Sequence, residues 1–120
     1  MGQSFPKIDR LRRRGEFLAA QKRGRRLHSA HFVLVLLDRG DTGGARLGLV
    51  TSRKVGNAVR RNFIRRVVRE TFRLHKEVFP ARHDVVVIAR DAVGDLASAT
   101  IRDEILAALA RRDTRRKPTP

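Results

Sequence analysis

The sequence predicts an α+β fold, a two-layer sandwich in which a small mixed sheet packs with helices in the order αβββαβα. Three observations carry this. The runs His31–Asp38, Arg46–Ser52 and Asp84–Arg90 are apolar and rich in β-branched residues, as strands are. The segments around residues 57–76 and 96–112 repeat apolar residues at helical spacing. And 120 residues make one domain with a modest core.

Taken in order, residues 9–22 (DRLRRRGEFLAAQK) read as a short helix anchored by Phe17 and Leu18, interrupted by Gly15 and stopped by Gly24. Residues 25–28 add a short strand. His31–Asp38 (HFVLVLLD) reads as a buried strand, and Arg39–Ala45 (RGDTGGA) as a turn centred on Gly43-Gly44. Arg46–Ser52 (RLGLVTS) then returns as the second half of a hairpin. Gly56-Asn57 opens a long helix to about Lys76, and Pro80 closes that region. Asp84–Arg90 (DVVVIAR) is another strand. A last helix spans 96–112, with Leu96, Ile101, Ile105 and Leu109 near i, i+4 spacing. Residues 1–112 form the domain. Residues 113–120 hold two prolines and no apolar residue, which predicts a disordered basic tail. If the strands at 46–52 and 84–90 are parallel, the intervening helix makes a crossover, right-handed by default.

Lys and Arg total 28 against 12 Asp and Glu, a net charge of +16. Such an excess opposes folding by self-repulsion and favours a polyanionic partner. It is not spread evenly. Residues 53–83 carry ten basic and two acidic residues, whereas 84–110 carry two basic and five acidic. Arg60–Arg69 contains no acid, unlike an ordinary solvated face, where signs alternate. There is no cysteine, which excludes disulfides, zinc–thiolate sites and cysteine nucleophiles. The apolar runs are too short for a bilayer, and the N-terminal stretch lacks the apolar region of a signal peptide. The expectation is a cytoplasmic protein bound to nucleic acid.

On a helical wheel, Val59, Phe63, Ile64, Val67, Val68, Thr71, Leu74 and His75 fall on one side of the 57–76 helix. Arg61, Arg65, Arg69 and Arg73 form an i, i+4 row opposite, flanked by Asn62, Arg66 and Lys76. Guanidiniums about 6 Å apart suit successive phosphates, which arginine grips with paired donors. Arg60 does not fit, since it points toward the apolar side. Arg53 and Lys54 precede the helix, whose N-terminus adds backbone N–H groups and partial positive charge. A membrane-surface helix is the weaker reading, because the apolar side is what the strands need for a core. Flanking strands also disfavour a helix-turn-helix geometry.

No catalytic constellation emerges. His28 and His31 lack ligand-spaced partners and read as rim histidines, while Asp91, Asp95, Asp103 and Glu104 read as turn and cap residues. Composition and spacing therefore describe a nucleic-acid-binding module without chemistry of its own. They leave open a ribosomal-type structural RNA-binding protein or a basic DNA-binding protein.

The run from Arg53 to Glu70 (RKVGNAVRRNFIRRVVRE) is more specific. It closely resembles the signature of the protein subunit of bacterial ribonuclease P, in which a Lys/Arg pair, Gly-Asn-Ala-Val and Arg-Asn-x-x-Lys/Arg-Arg recur in this order. Glu16-Phe17, Phe32-Val33-Leu34, Arg46-Leu47-Gly48-Leu49 and Asp84–Arg90 fit the surrounding pattern, so the resemblance covers about residues 9–110. It implies a left-handed crossover around the basic helix, overriding the default. It implies a partner, the catalytic RNA, and a substrate, precursor tRNA, whose 5′ leader is removed with Mg²⁺ held mainly by the RNA. No protein catalytic residue, membrane or obligate protein partner is expected. Carried over by position, Arg53, Lys54, Asn57, Arg61, Asn62, Arg65, Arg66 and Arg69 bind RNA. Phe17 and Val35 fall in a cleft that holds single-stranded leader, where bases stack on aromatic rings. The chain departs from the pattern at Gln21 and Val35, where aromatics are common, and at Phe63, which replaces a common basic residue.

Overall fold

The computed structural model describes residues 14–90 and 93–116. Its elements are α1 (Arg14–Arg23), β1 (Arg25–His28), β2 (Phe32–Asp38), β3 (Arg46–Val50), α2 (Ala58–Leu74), β4 (His83–Ala89) and α3 (Ser98–Arg116), which is the predicted order. Short 3₁₀ turns at Arg53–Val55 and Lys76–Val78 bracket α2. The first five residues of the helix expected at 9–22 lie outside the described residues. The last helix runs on to Arg116, four residues past its expected end at 112 and into the expected tail. The rest of that tail, 117–120, lies outside the described residues.

The four strands are ordered β1-β2-β4-β3. β2 is antiparallel to both β1 and β4, and β3 is parallel to β4, so the sheet is mixed and β3–α2–β4 is a crossover. The hairpin expected between β2 and β3 does not form, because β4 lies between them. The reason is burial. β4 presents Val85, Val87 and Ala89 to one face and Asp84 and Val86 to the other, all buried, and such a strand belongs in the centre of a sheet. The real hairpin joins β1 to β2, through a turn in which the Ser29 N–H donates to the Phe32 carbonyl and the Phe32 N–H donates to the Ser29 hydroxyl. The loop between β2 and β3 instead wraps the start of β4. Arg39 N–H donates to the Arg82 carbonyl, and Arg82 N–H to the Gly43 carbonyl. Arg82 makes both bonds from a left-handed backbone (φ 68°), which few residues other than glycine adopt.

Alternation along the strands divides the apolar residues between two faces. Leu27, Phe32, Leu34, Leu36, Leu47, Val85 and Val87 meet Ile64, Val67, Val68 and Phe72 of α2 and Ile101, Ile105 and Leu109 of α3. Phe72 also packs edge-on against Phe79, ring centroids 4.9 Å apart, a geometry that adds about 1 kcal/mol beyond burial. Val35 and Val86 face the other way, under Ala20 of α1. The sandwich thus has its expected two layers on the α2/α3 side, and α1 adds a partial third.

Candidate nucleic-acid interface

The β3–α2 junction is built for one entry angle. Gly56 sits at φ 154°, and a Cβ there would press on Arg60 Cβ and Cγ at 3.2 Å. Asn57 follows as N-cap, its Oδ1 accepting from Arg60 N–H at 2.9 Å. The helix then buries Ile64, Val67, Val68, Thr71 and Phe72 and sends its basic side outward.

All eight residues assigned to RNA lie together, on the 3₁₀ turn and the first turns of α2. Arg53, Lys54, Asn57, Asn62, Arg66 and Arg69 are exposed, and Arg61 and Arg65 are half-buried. The arginine row is not a straight stripe. Residues four apart drift about 40° round a helix, so Arg61 and Arg65 lean toward the β3–α2 loop while Arg69 points outward. Arg61 donates to the Gly56 carbonyl at 2.8 Å, and Arg65 Nε donates to Thr51 Oγ1 at 2.9 Å. These acceptors are neutral. They aim each guanidinium while leaving its charge and several N–H groups for another partner. Arg73, at the end of the row, donates to Glu70 at 2.7 Å.

Arg60 is resolved differently. It crosses to the loop before α3, where it donates to the Gly94 and Leu96 carbonyls at 2.6 and 2.8 Å, and it lies 4.9 Å from the Phe63 ring centre. It fastens α2 to α3. Val59 and Leu74, expected on the apolar side, are 78% and 58% exposed. Val59 lies half a turn away from Val68, and Leu74 lies on the flank at the last turn. The core contact is therefore narrower than the wheel suggests.

At the opposite end of the sheet another charged group is closed. Asp84, 3% exposed, accepts from Arg39 at 2.9 Å and from Arg46 at 2.8 and 3.0 Å. Glu16 joins Arg46, and Asp41 joins Arg39. Hydrogen bonding to Asp41 raises the Arg39 pKa, with a smaller rise from Asp84 working against the cost of burial. Hydrogen bonding to Asp84 likewise raises that of Arg46. A cleft of about 490 Å³ opens here beside α1, walled by Glu16, Arg23, Leu37, Arg39, Arg46 and Asp84. Phe17 is half-buried one position round α1, against the cluster of Val35 and Val86. Val35 itself is fully buried, so the structure corrects its placement in the cleft wall: it lies beneath Gly24, where an added Cβ would meet its Cγ1 at 2.4 Å.

Glu104 is not the cap it resembles in sequence. It accepts from His31 N–H at 2.7 Å, from the Ser29 hydroxyl, and pairs with His31 Nδ1 at 2.7 Å, clasping α3 to the β1–β2 turn. Burial pushes its carboxyl up, but these bonds together hold it below the ordinary value.

The Ribonuclease P family model matches residues 5–113, nearly the whole chain. The chain belongs to the ribonuclease P protein family. It is 44% identical to the ribonuclease P protein component of Desulfovibrio desulfuricans over 110 residues, covering 89% of this chain and 85% of that one. It is 40% identical to that of Thermotoga maritima over 115 residues, covering 92% and 97%. In three dimensions it superposes on the RNase P protein of Staphylococcus aureus with a TM-score of 0.81, at 31% identity, covering 88% of this chain and 96% of that one. The solved T. maritima protein superposes with a TM-score of 0.77 at 40% identity, covering 85% and 96%. For a ribonuclease P protein, a ribonucleoprotein component, an exposed cationic face is what an RNA partner requires. No helix among the described residues is long and apolar enough to cross a membrane.

Proposed function

We propose that this chain binds the catalytic RNA of ribonuclease P and the 5′ leader of precursor tRNA, and so aids the endonucleolytic cut that leaves the mature tRNA 5′ end. Hydrolysis belongs to the RNA, with Mg²⁺ held mainly by it, and no side chain of this chain has a catalytic role. The observation that supports this reading is the grouping of residues 53–69, where Arg61 and Arg65 are oriented by neutral acceptors. Cations held this way keep their attraction for phosphate and release counterions when RNA docks. Phe17 serves the leader, its half-exposed ring offering a surface for an unpaired base.

The test adds the protein to the catalytic RNA and precursor tRNA at low Mg²⁺. Faster cleavage is expected; unchanged cleavage overturns the proposal. In binding measurements on the same holoenzyme, Phe17→Ala is expected to weaken precursor tRNA with its leader more than mature tRNA, and equal weakening returns the ring to core packing.

A further inference from the structure

A groove of about 320 Å³ runs between α2 and α3, on the flank of α2 away from Arg61 and Arg65. Its walls include Phe63, Arg66, Leu74, Ser98 and Arg102. Two features set it apart from an ordinary seam between helices. Leu74 leaves apolar surface open at 58% exposure, and two arginines flank the opening from different helices. The acid in the wall, Glu70, is held by Arg73 at 2.7 Å, and Arg102 has, among the described residues, its neighbour Asp103 at 3.0 Å.

Phe63 lies on α2 between Arg60 and Arg66, and the structure shows what the ring does there. Arg60 lies 4.9 Å from its centre and is tied to two carbonyls, so that contact is fixed. Arg66 lies 5.8 Å away and is exposed. Its charge is free to turn from the ring to an incoming phosphate. We infer that this groove takes one unpaired nucleotide of the RNA partner, its base against Phe63 and Leu74 and its phosphate between Arg66 and Arg102. The volume suits an occupant of that size, and aromatic stacking beside arginine is how unpaired bases are held. The net charge of +16 and the adjacent cationic face favour RNA over any cationic or neutral occupant.

The inference rests on the RNA-binding reading, and the test separates the two. Binding of catalytic RNA is measured against salt for the full chain, Phe63→Leu, Arg102→Gln and the double variant. Phe63→Leu keeps apolar packing and removes the stacking face; about tenfold weaker binding is expected. Arg102→Gln, on an exposed side chain, is expected to reduce the salt slope by about 0.7–0.9. The double variant is expected to lose less than the product of the two, because both residues hold one nucleotide. Ultraviolet cross-linking is expected to attach RNA to the peptide containing Phe63. If the full chain binds and Arg65→Ala weakens it, while Phe63→Leu and Arg102→Gln bind as the parent does, the groove is empty and the inference falls. If the full chain does not bind the RNA, the broader proposal falls first.

Discussion

Around Asp84, the guanidiniums of Arg39 and Arg46 are enclosed by carboxylates on a sheet face that α1 covers. Along the start of α2, those of Arg61 and Arg65 are held by a backbone carbonyl and a threonine hydroxyl. The side chains are the same and their physical states are opposite. In the first group, attraction is consumed inside the molecule to offset burial. In the second, a weak neutral tether fixes direction and leaves the charge for RNA. Basic residues alone therefore do not make a cationic face; what distinguishes Arg61 and Arg65 is that their acceptors among the described residues are neutral. The cleft beside α1 makes the same point. Its walls balance Glu16, Asp38 and Asp84 against Arg23, Arg39 and Arg46, so it presents a much weaker field than the start of α2 does.

The strongest way to break this contrast is Asp84→Asn. It removes the buried counterion that Arg39, whose side chain is 14% exposed, shares with Arg46, and leaves Arg39 only the more exposed Asp41 among the carboxylates of the described residues. Removing one partner of a buried pair costs about 3–5 kcal/mol, and the lower end is expected because Arg46, 27% exposed, regains water. Urea unfolding measures the loss, while RNA affinity of the folded fraction should hold. A variant as stable as the parent would mean that the enclosed arginines need no acid.

Glu104 gives a pH-dependent version of the same argument. Its carboxyl is held below the ordinary 4.5 by the bonds from Ser29 and His31, which outweigh burial. A lowered folded pKa means the charged form stabilises the fold. That stabilisation is complete above about pH 4.5 and is lost as pH falls through the folded value. Glu104→Gln is expected to cost about 1.5 kcal/mol at neutral pH, the worth of hydrogen bonds to a charged group. It should also flatten the acid limb of the stability curve. An unchanged acid limb would assign that limb to other carboxylates.

How far these features were legible in sequence follows from their range. The element order was readable because 3.6-residue and two-residue periods are local. So was the cationic junction, because residues 53–69 form one continuous run. The β2–β3 hairpin failed because adjacency in sequence stood in for adjacency in the sheet. Yet β4 signalled its central place by being apolar on both faces, whereas β3 carries Arg46 and Gly48. Glu104 was unreadable for the opposite reason: Ser29 and His31 lie more than 70 residues away. Val35 was misplaced because a position on the right face of a strand says nothing about what covers it. Arg60 was flagged as a misfit, but its partners at Gly94 and Leu96 depend on how α3 docks.

On the open side of the comparison, Arg65→Ala is expected to weaken RNA binding several-fold and to lower the salt slope by about 0.7–0.9, one phosphate contact. Its fixed partner among the described residues is a neutral hydroxyl, so the stability change should stay near 1 kcal/mol or below. Fluorescence titration across salt, paired with a thermal melt, separates the two effects. A lost fold with an unchanged slope would move Arg65 into the enclosed class.

Arg73 stands between the classes, and it offers the finest test. It belongs to the row yet donates to Glu70 at 2.7 Å, both side chains being substantially exposed. Such a pair contributes only a few tenths of a kcal/mol, because water screens it. Glu70→Gln is therefore expected to leave stability nearly unchanged while releasing Arg73 toward phosphate, raising RNA affinity by about twofold. Removing an acid also raises affinity by long-range attraction alone, so the change is repeated in an Arg73→Ala background. If pairing is what restrains Arg73, most of the gain disappears when Arg73 is absent. If the gain survives intact, Glu70 acts through the field of the whole face, and the neighbouring acid matters by its charge rather than by its bond.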